Sequence, residues 1–218
     1  MRPLCVFACA TLLASLTAHA AEPLKLSGVK WDFEDGTLQG WTVTGDLGKQ
    51  PSSTDNDRWQ GNFNKHGKYF IGTYENGDKV AGDQVTGELR SPLFLVDADL
   101  LGLLVGGGDQ ADATYVALCD AEGDKELMKA SGKNAEAMTD IVWDVSKLKG
   151  KTVYLKVVDR APGGWGHINL DFVRMIDKAE WDRLEREKLE AAERARKAQE
   201  EMLKSWAETN AKYRKTVF

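Results

Sequence analysis

The sequence is short of the residues from which most active sites are built. Its 218 residues include three histidines, three cysteines and five prolines. No apolar run approaches the ~20 residues that a membrane-spanning helix requires. Nor does one sign of charge dominate: 29 Lys and Arg stand against 34 Asp and Glu, a formal net charge of -5. These shortages exclude a collagen, a wholly disordered tail, a multi-span membrane protein and a strongly basic nucleic-acid binder.

What is present falls into three unlike segments. Residues 1–20 carry a single Arg, no acid and no Gly, with an apolar run over 4–16 followed by Ala18-His19-Ala20. A positive start, a short apolar stretch and small residues at the end predict a signal peptide cleaved after Ala20. The mature chain is then secreted or periplasmic, without a membrane span. Residues 21–176 hold all 21 glycines and are acidic, and residues 177–218 hold 10 acids and 11 bases with no Gly or Pro.

Cleavage removes Cys5, Cys9 and His19, which sharpens the shortage. Cys119 is left alone, so no internal disulfide forms despite an oxidising destination. Its setting in Tyr115-Val116-Ala117-Leu118-Cys119 reads as a strand with a packed thiol. His66 and His167 lie in no metal-ligand spacing, and no G-x-S-x-G elbow is present. His167 begins a strand and is expected to be structural, bonded to a loop carbonyl. Gly106-Gly107-Gly108 precedes no helix and reads as a bulge or loop. The domain's 24 acids are too many for sequence to single out a catalytic pair. The expectation is a protein that is not an enzyme.

The middle segment is all-β. Strand-like runs over 30–34, 68–74, 87–96, 100–105, 114–119, 141–145, 152–159 and 167–175 are separated by turn signals such as Asp35-Gly36, Asn76-Gly77 and Pro162-Gly163-Gly164. Val153, Leu155 and Val157 alternate onto one face, and Ile168, Leu170 and Phe172 onto another strand's inner face. Trp41 and Trp143 fit core positions. Many short strands without intervening helices predict a jelly-roll β-sandwich. From Asp177 the pattern becomes helical: Asp177 caps, Glu180 follows three residues later, and about 35 helix formers make a rod of roughly 50 Å. Its apolar stripe of Trp181, Leu184, Ala191, Ala195, Ala198, Met202 and Trp206 is broken by Lys188. A solvated helix, a self-associating coiled coil and docking on another exported protein all remain open.

One polar stretch stands out, running from Arg58 to Tyr69. Arg58, Asn62 and Asn64 can hydrogen-bond sugar hydroxyls, while Trp59 and Tyr69 can pack on the C–H face of a sugar ring. The alternative is an ordinary loop whose Trp plugs the sandwich.

The opening motif Phe33-Glu34-Asp35-Gly36-Thr37-Leu38-Gln39-Gly40-Trp41 resembles that of galactose-binding-like jelly-roll modules. Later runs strengthen the likeness: Phe63-Asn64 with Gly67 and Tyr69, Thr86-Gly87-Glu88-Leu89-Arg90-Ser91-Pro92, Tyr115-Val116-Ala117-Leu118, and Gly164-Trp165-Gly166-His167-Ile168-Asn169. Together, over residues 29–176, they resemble accessory modules appended to secreted β-fructosidases (levanases and inulinases) and to other secreted bacterial proteins. The resemblance implies a non-catalytic carbohydrate-binding module, with a polysaccharide or other glycan, fructan among them, as partner. It also implies a structural Ca²⁺ held by Glu34 and Asp171, although Phe172 stands where such modules carry a second Asp. The rival reading is a structural sandwich that binds protein and assembles through its C-terminal helix.

Overall fold

Alternation of Val, Leu and Ile with polar residues drives the middle of the chain into strands whose apolar sides need a partner sheet. The computed structural model describes residues 23–53, 62–77 and 79–217, so the expected signal peptide lies outside the described residues. The strands in chain order begin with β1 (Leu24–Lys25), β2 (Lys30–Trp31), β3 (Thr42–Gly45), β4 (Ile71–Gly72), β5 (Glu75–Asn76), β6 (Lys79–Val80) and β7 (Gly87–Arg90). They continue with β8 (Phe94–Leu95), β9 (Leu100–Gly107), β10 (Thr114–Asp120), β11 (Glu126–Ala130), β12 (Ala135–Asp144), β13 (Thr152–Asp159) and β14 (Ile168–Ile176), before the helix α1 (Lys178–Val217).

Two sheets face each other, as expected of a jelly-roll sandwich. The first contains β1, β3, β7, β8, β10, β11 and β13, with β13 pairing β10 on one side and β7 and β8 on the other. The second contains β12, β9 and β14 in that order, with β2 and β4 both along the far side of β14. Val116, Leu118, Val153, Leu155 and Val157 of the first sheet pack against Leu101, Leu103, Val105, Ile168 and Leu170 of the second. Trp41 and Trp143 are buried among them, and Trp31 meets Trp41 edge-on with ring centroids 5.5 Å apart. Cys119 is buried and its thiol is pushed up to about 11 by that burial.

Phe172 departs from the expected alternation. A bulge shifts the β14–β9 register between Asp171 and Arg174, and Phe172 takes a left-handed φ of 46°. Its ring therefore leaves the inner face and packs with Phe63, Phe70, Leu104 and Met138 on the outer side of the second sheet. An extra residue in a strand reverses the side on which its successors point, so Val173 takes the place in the core.

The helix begins as its capping residues require, with the Glu180 amide donating to Asp177 Oδ1 at 2.8 Å. The Arg174 guanidinium donates to Glu180 and ties this first turn to β14. Only its start, around Trp181 and Leu184, is half-buried, and residues 186–211 are exposed. Among the described residues no helix is long and apolar enough to cross a membrane.

Candidate functional site

The chain gathers its chemistry at one end of the sandwich, where β9 and β13 finish and β10 and β14 start. There Gly107 pairs with Ile168 and Thr114 with Asp159. Gly107 has a φ of 92°, and a side chain on it would lie 2.5 Å from the carbonyl oxygen of His167. Only glycine permits that approach, and it lets the 160–167 loop close down over the end of β9.

His167 is the centre of this end. It is 4% exposed, with Nδ1 2.7 Å from Asp83 Oδ1 and Nε2 3.3 Å from Glu136 Oε1. Burial alone would lower its pKa, but the two carboxylates outweigh burial and hold it up to about 9. An imidazolium at neutral pH follows. The expected loop carbonyl is thus replaced by two carboxylates, because a buried ring flanked by acids gains more from charge than from a neutral acceptor. Asn169 donates through Nδ2 to Glu136 Oε2 at 2.9 Å. Burial works against ionisation of Glu136, yet His167 and Asn169 keep its carboxyl below the usual value.

Two further acids complete the cluster. Burial, helped by the charge of Glu136, pushes Glu75 up to about 7, and burial pushes Asp159 up to about 6. Glu75 Oε2 and Asn169 Oδ1 are buried without a hydrogen-bond partner. Two half-buried aromatics flank the imidazole, with the Tyr74 ring 5.2 Å and the Trp165 ring 5.6 Å from it. Trp165 has a φ of 60°, unusual for so large a residue, and Gln110 Nε2 donates to its carbonyl. Chemically, this end offers hydrogen-bond acceptors beside aromatic faces.

Of the residues expected to touch sugar, those that are described are not brought to that cluster. Arg58 and Trp59 lie outside the described residues. Asn62 and Asn64 are exposed on a loop over the second sheet, and both help to close it. Asn62 Oδ1 accepts the Asn64 amide at 2.8 Å, and Asn64 Nδ2 donates to the Met138 carbonyl at 2.8 Å. Tyr69 is half-buried against the core, with Lys68 Nζ 4.7 Å from its ring centre.

The pair expected to hold calcium lies under the same loop. Glu34 Oε1 accepts the amides of Lys68 and Tyr69, at 2.8 and 2.7 Å. Asp171 Oδ2 accepts the His66 amide at 2.7 Å, and Oδ1 that of Phe172 at 2.6 Å. A cation site needs the loop to present oxygens, whereas here it presents N–H groups whose positive ends repel a cation. The residues present do not fit a calcium ion held by Glu34 and Asp171. Among the described residues no group of three or more His, Cys, Asp or Glu is placed to hold a metal.

No known family profile matches the chain. Over 144 residues, 64% of the chain, it is 34% identical to the protein named "Putative glycosyl hydrolase ecdE" from Aspergillus rugulosus. That stretch is 20% of the relative, so the chain spans about a fifth of its length. Among solved structures it is similar to TmCBM61 in complex with beta-1,4-galactotriose, with a TM-score of 0.43, 17% identity and coverage of 67% of this chain and 94% of that one. It is also similar to the K1 cleaved adhesin domain of Lys-gingipain from Porphyromonas gingivalis W83, with a TM-score of 0.42, 13% identity and coverage of 68% and 98%.

Proposed function

We propose that the protein is an exported, non-catalytic carbohydrate-binding module. The observation that carries this reading is the 34% identity over 144 residues with a stretch that makes up one fifth of the protein named "Putative glycosyl hydrolase ecdE". A shared piece of that size suits an accessory module that holds a catalytic neighbour on its polymer. At the sandwich end the imidazole contacts two carboxylates, and among the described hydrogen bonds no hydroxyl or thiol reaches it, an arrangement that suits holding a ligand by hydrogen bonds. Fructan is the first glycan to test, and residues 1–20 the segment that directs export.

The test is a binding screen of the mature protein against soluble and insoluble polysaccharides, fructans included. Retention on at least one glycan is expected, without release of reducing sugar. A folded sample that binds none of them overturns the proposal. If Trp59 contacts sugar, Trp59→Ala weakens that binding by about 1–3 kcal/mol, the range of a single aromatic anchor. An unchanged affinity removes this residue from the site.

A second reading is favoured by the helix, where Leu189, Met202, Leu203 and Trp206 are all more than half exposed. Such a surface fits self-association or docking on another exported protein, with the sandwich as a tethered head. Sedimentation of the mature chain beside one ending at Ile176 separates the two. A change of oligomer on truncation, in a protein that ignores glycans, selects the assembly role.

A further inference from the structure

At the end of the sandwich, acceptors outnumber donors. Four carboxyl groups, on Asp83, Glu136, Glu75 and Asp159, surround the single imidazolium of His167, and among the described ion pairs no Lys or Arg joins them. Folding leaves polar atoms of both kinds unanswered at this end: the acceptors Glu75 Oε2 and Asn169 Oδ1, and the possible donors Thr114 Oγ1 and His167 Nε2, have no hydrogen-bond partner although their residues are only 0–4% exposed. Buried acceptors without donors are rare in stable folds unless water or a ligand answers them. The two outermost carboxylates keep an open edge, with side-chain exposures of 20% for Asp83 and 14% for Glu136. They arrive from distant parts of the chain, one before β7 and the other in β12, and His167 fixes both.

We propose that Asp83 and Glu136 form a clamp for neighbouring hydroxyls of a neutral saccharide, which packs its C–H face on Trp165 and Tyr74. The inference rests on the carbohydrate-binding reading above and adds the place and the kind of sugar. A hydroxyl supplies a donor without bringing charge, and the neutral sugar ring supplies an apolar face for the aromatics. A uronate or sulfated sugar would place its own negative charge against four carboxyl groups. The clamp therefore selects against acidic glycans. His167 is a positioning residue that sets the spacing of the two carboxylates without touching the sugar. The left-handed Trp165 is held by the Gln110 contact and by the tight turn in which Gly166 donates to the Gly163 carbonyl at 2.6 Å. Backbone strain kept in this way is a feature of preorganised sites.

The experiment is affinity electrophoresis and calorimetry of the mature chain with neutral polymers (galactan, xylan, fructan, glucan) and uronate polymers (polygalacturonate, alginate), in the presence of chelator. Neutral polymers are expected to bind at least tenfold more tightly than uronates. Glu136→Gln, Asp83→Asn and Tyr74→Ala should each weaken that binding at least tenfold; Tyr74 is half-exposed, so its truncation spares the fold. Affinity in the wild type should fall as pH rises through about 9, and His167→Gln should lack this dependence. Tight binding to uronates, binding only when calcium is supplied, or full affinity in Glu136→Gln and Tyr74→Ala overturns the clamp and leaves the carbohydrate reading standing. Binding to no glycan at all overturns both.

Discussion

Ser91 Oγ accepts the buried Leu155 amide at 2.9 Å and donates to the Pro92 carbonyl at 2.8 Å. Ser91→Ala leaves that amide without a partner inside the first sheet. It is expected to lower stability by about 1–3 kcal/mol, measured by urea unfolding, while an unchanged midpoint would mean that water replaces the hydroxyl. Single residues at the sandwich end show how far local sequence can be read. The run Gly164 to Asn169 stands out in the sequence with His167 at a strand start, and β14 begins one residue later, at Ile168. The partners of the imidazole are hidden for a physical reason. Asp83 is 84 residues away from it, and one acid among 24 carries no spacing signal that predicts a long-range contact.

At the scale of elements, the strands were legible where alternation runs unbroken and obscure where it does not. β13 occupies the 152–159 predicted for it, since every second residue is apolar and faces the core. β3 and β11 were missed because they are short edge strands with mixed polarity, Thr42–Gly45 and Glu126–Ala130. The bulge in β14 was also invisible, since the apolar Phe172 satisfies the alternation on paper while its backbone turns it outward. The loop over the second sheet leads to a further prediction. Because amides already occupy Glu34 Oε1 and both oxygens of Asp171, chelation should leave the thermal midpoint of the protein unchanged. A midpoint that falls with chelator and returns with Ca²⁺ would show that the loop rearranges to present carbonyl oxygens. The helix is supported by its own ion pairs, among them Arg183 with Glu187 at 3.0 Å and Arg194 with Glu190 at 3.7 Å. Each such exposed pair contributes only about 0.3–0.5 kcal/mol.

For the whole molecule, buried charge sets a pH profile. The folded state raises Glu75 and Asp171 to about 7 and Asp159 to about 6, from ordinary values of 4.5 and 3.8. Their contribution is therefore complete below those ordinary values and is lost as pH rises to about 7. His167, raised from 6.5 to about 9, contributes fully below 6.5 and loses that contribution as pH rises through 9. Glu126 acts in the other sense. Burial would raise it, but Lys156 and the Tyr115 hydroxyl hold it down to about 2, so its contribution is present above 4.5 and fades as pH falls. The thermal midpoint should therefore be highest near pH 5, lower at pH 7 and lower again at pH 9. Calorimetry at those three values checks it, and a midpoint that rises with pH would contradict the placement of these groups.

The sealed thiol of Cys119 has a use beyond packing. It lies on the outer side of the first sheet, with Tyr115, Ala117, Tyr154 and Val158 around it, and is 0% exposed. A thiol-reactive dye added to the chain from Ala21 onward reaches it only when the side chains packed over the outer face of β10 move aside. The labelling rate becomes a clock for loosening of that face, with no probe to engineer.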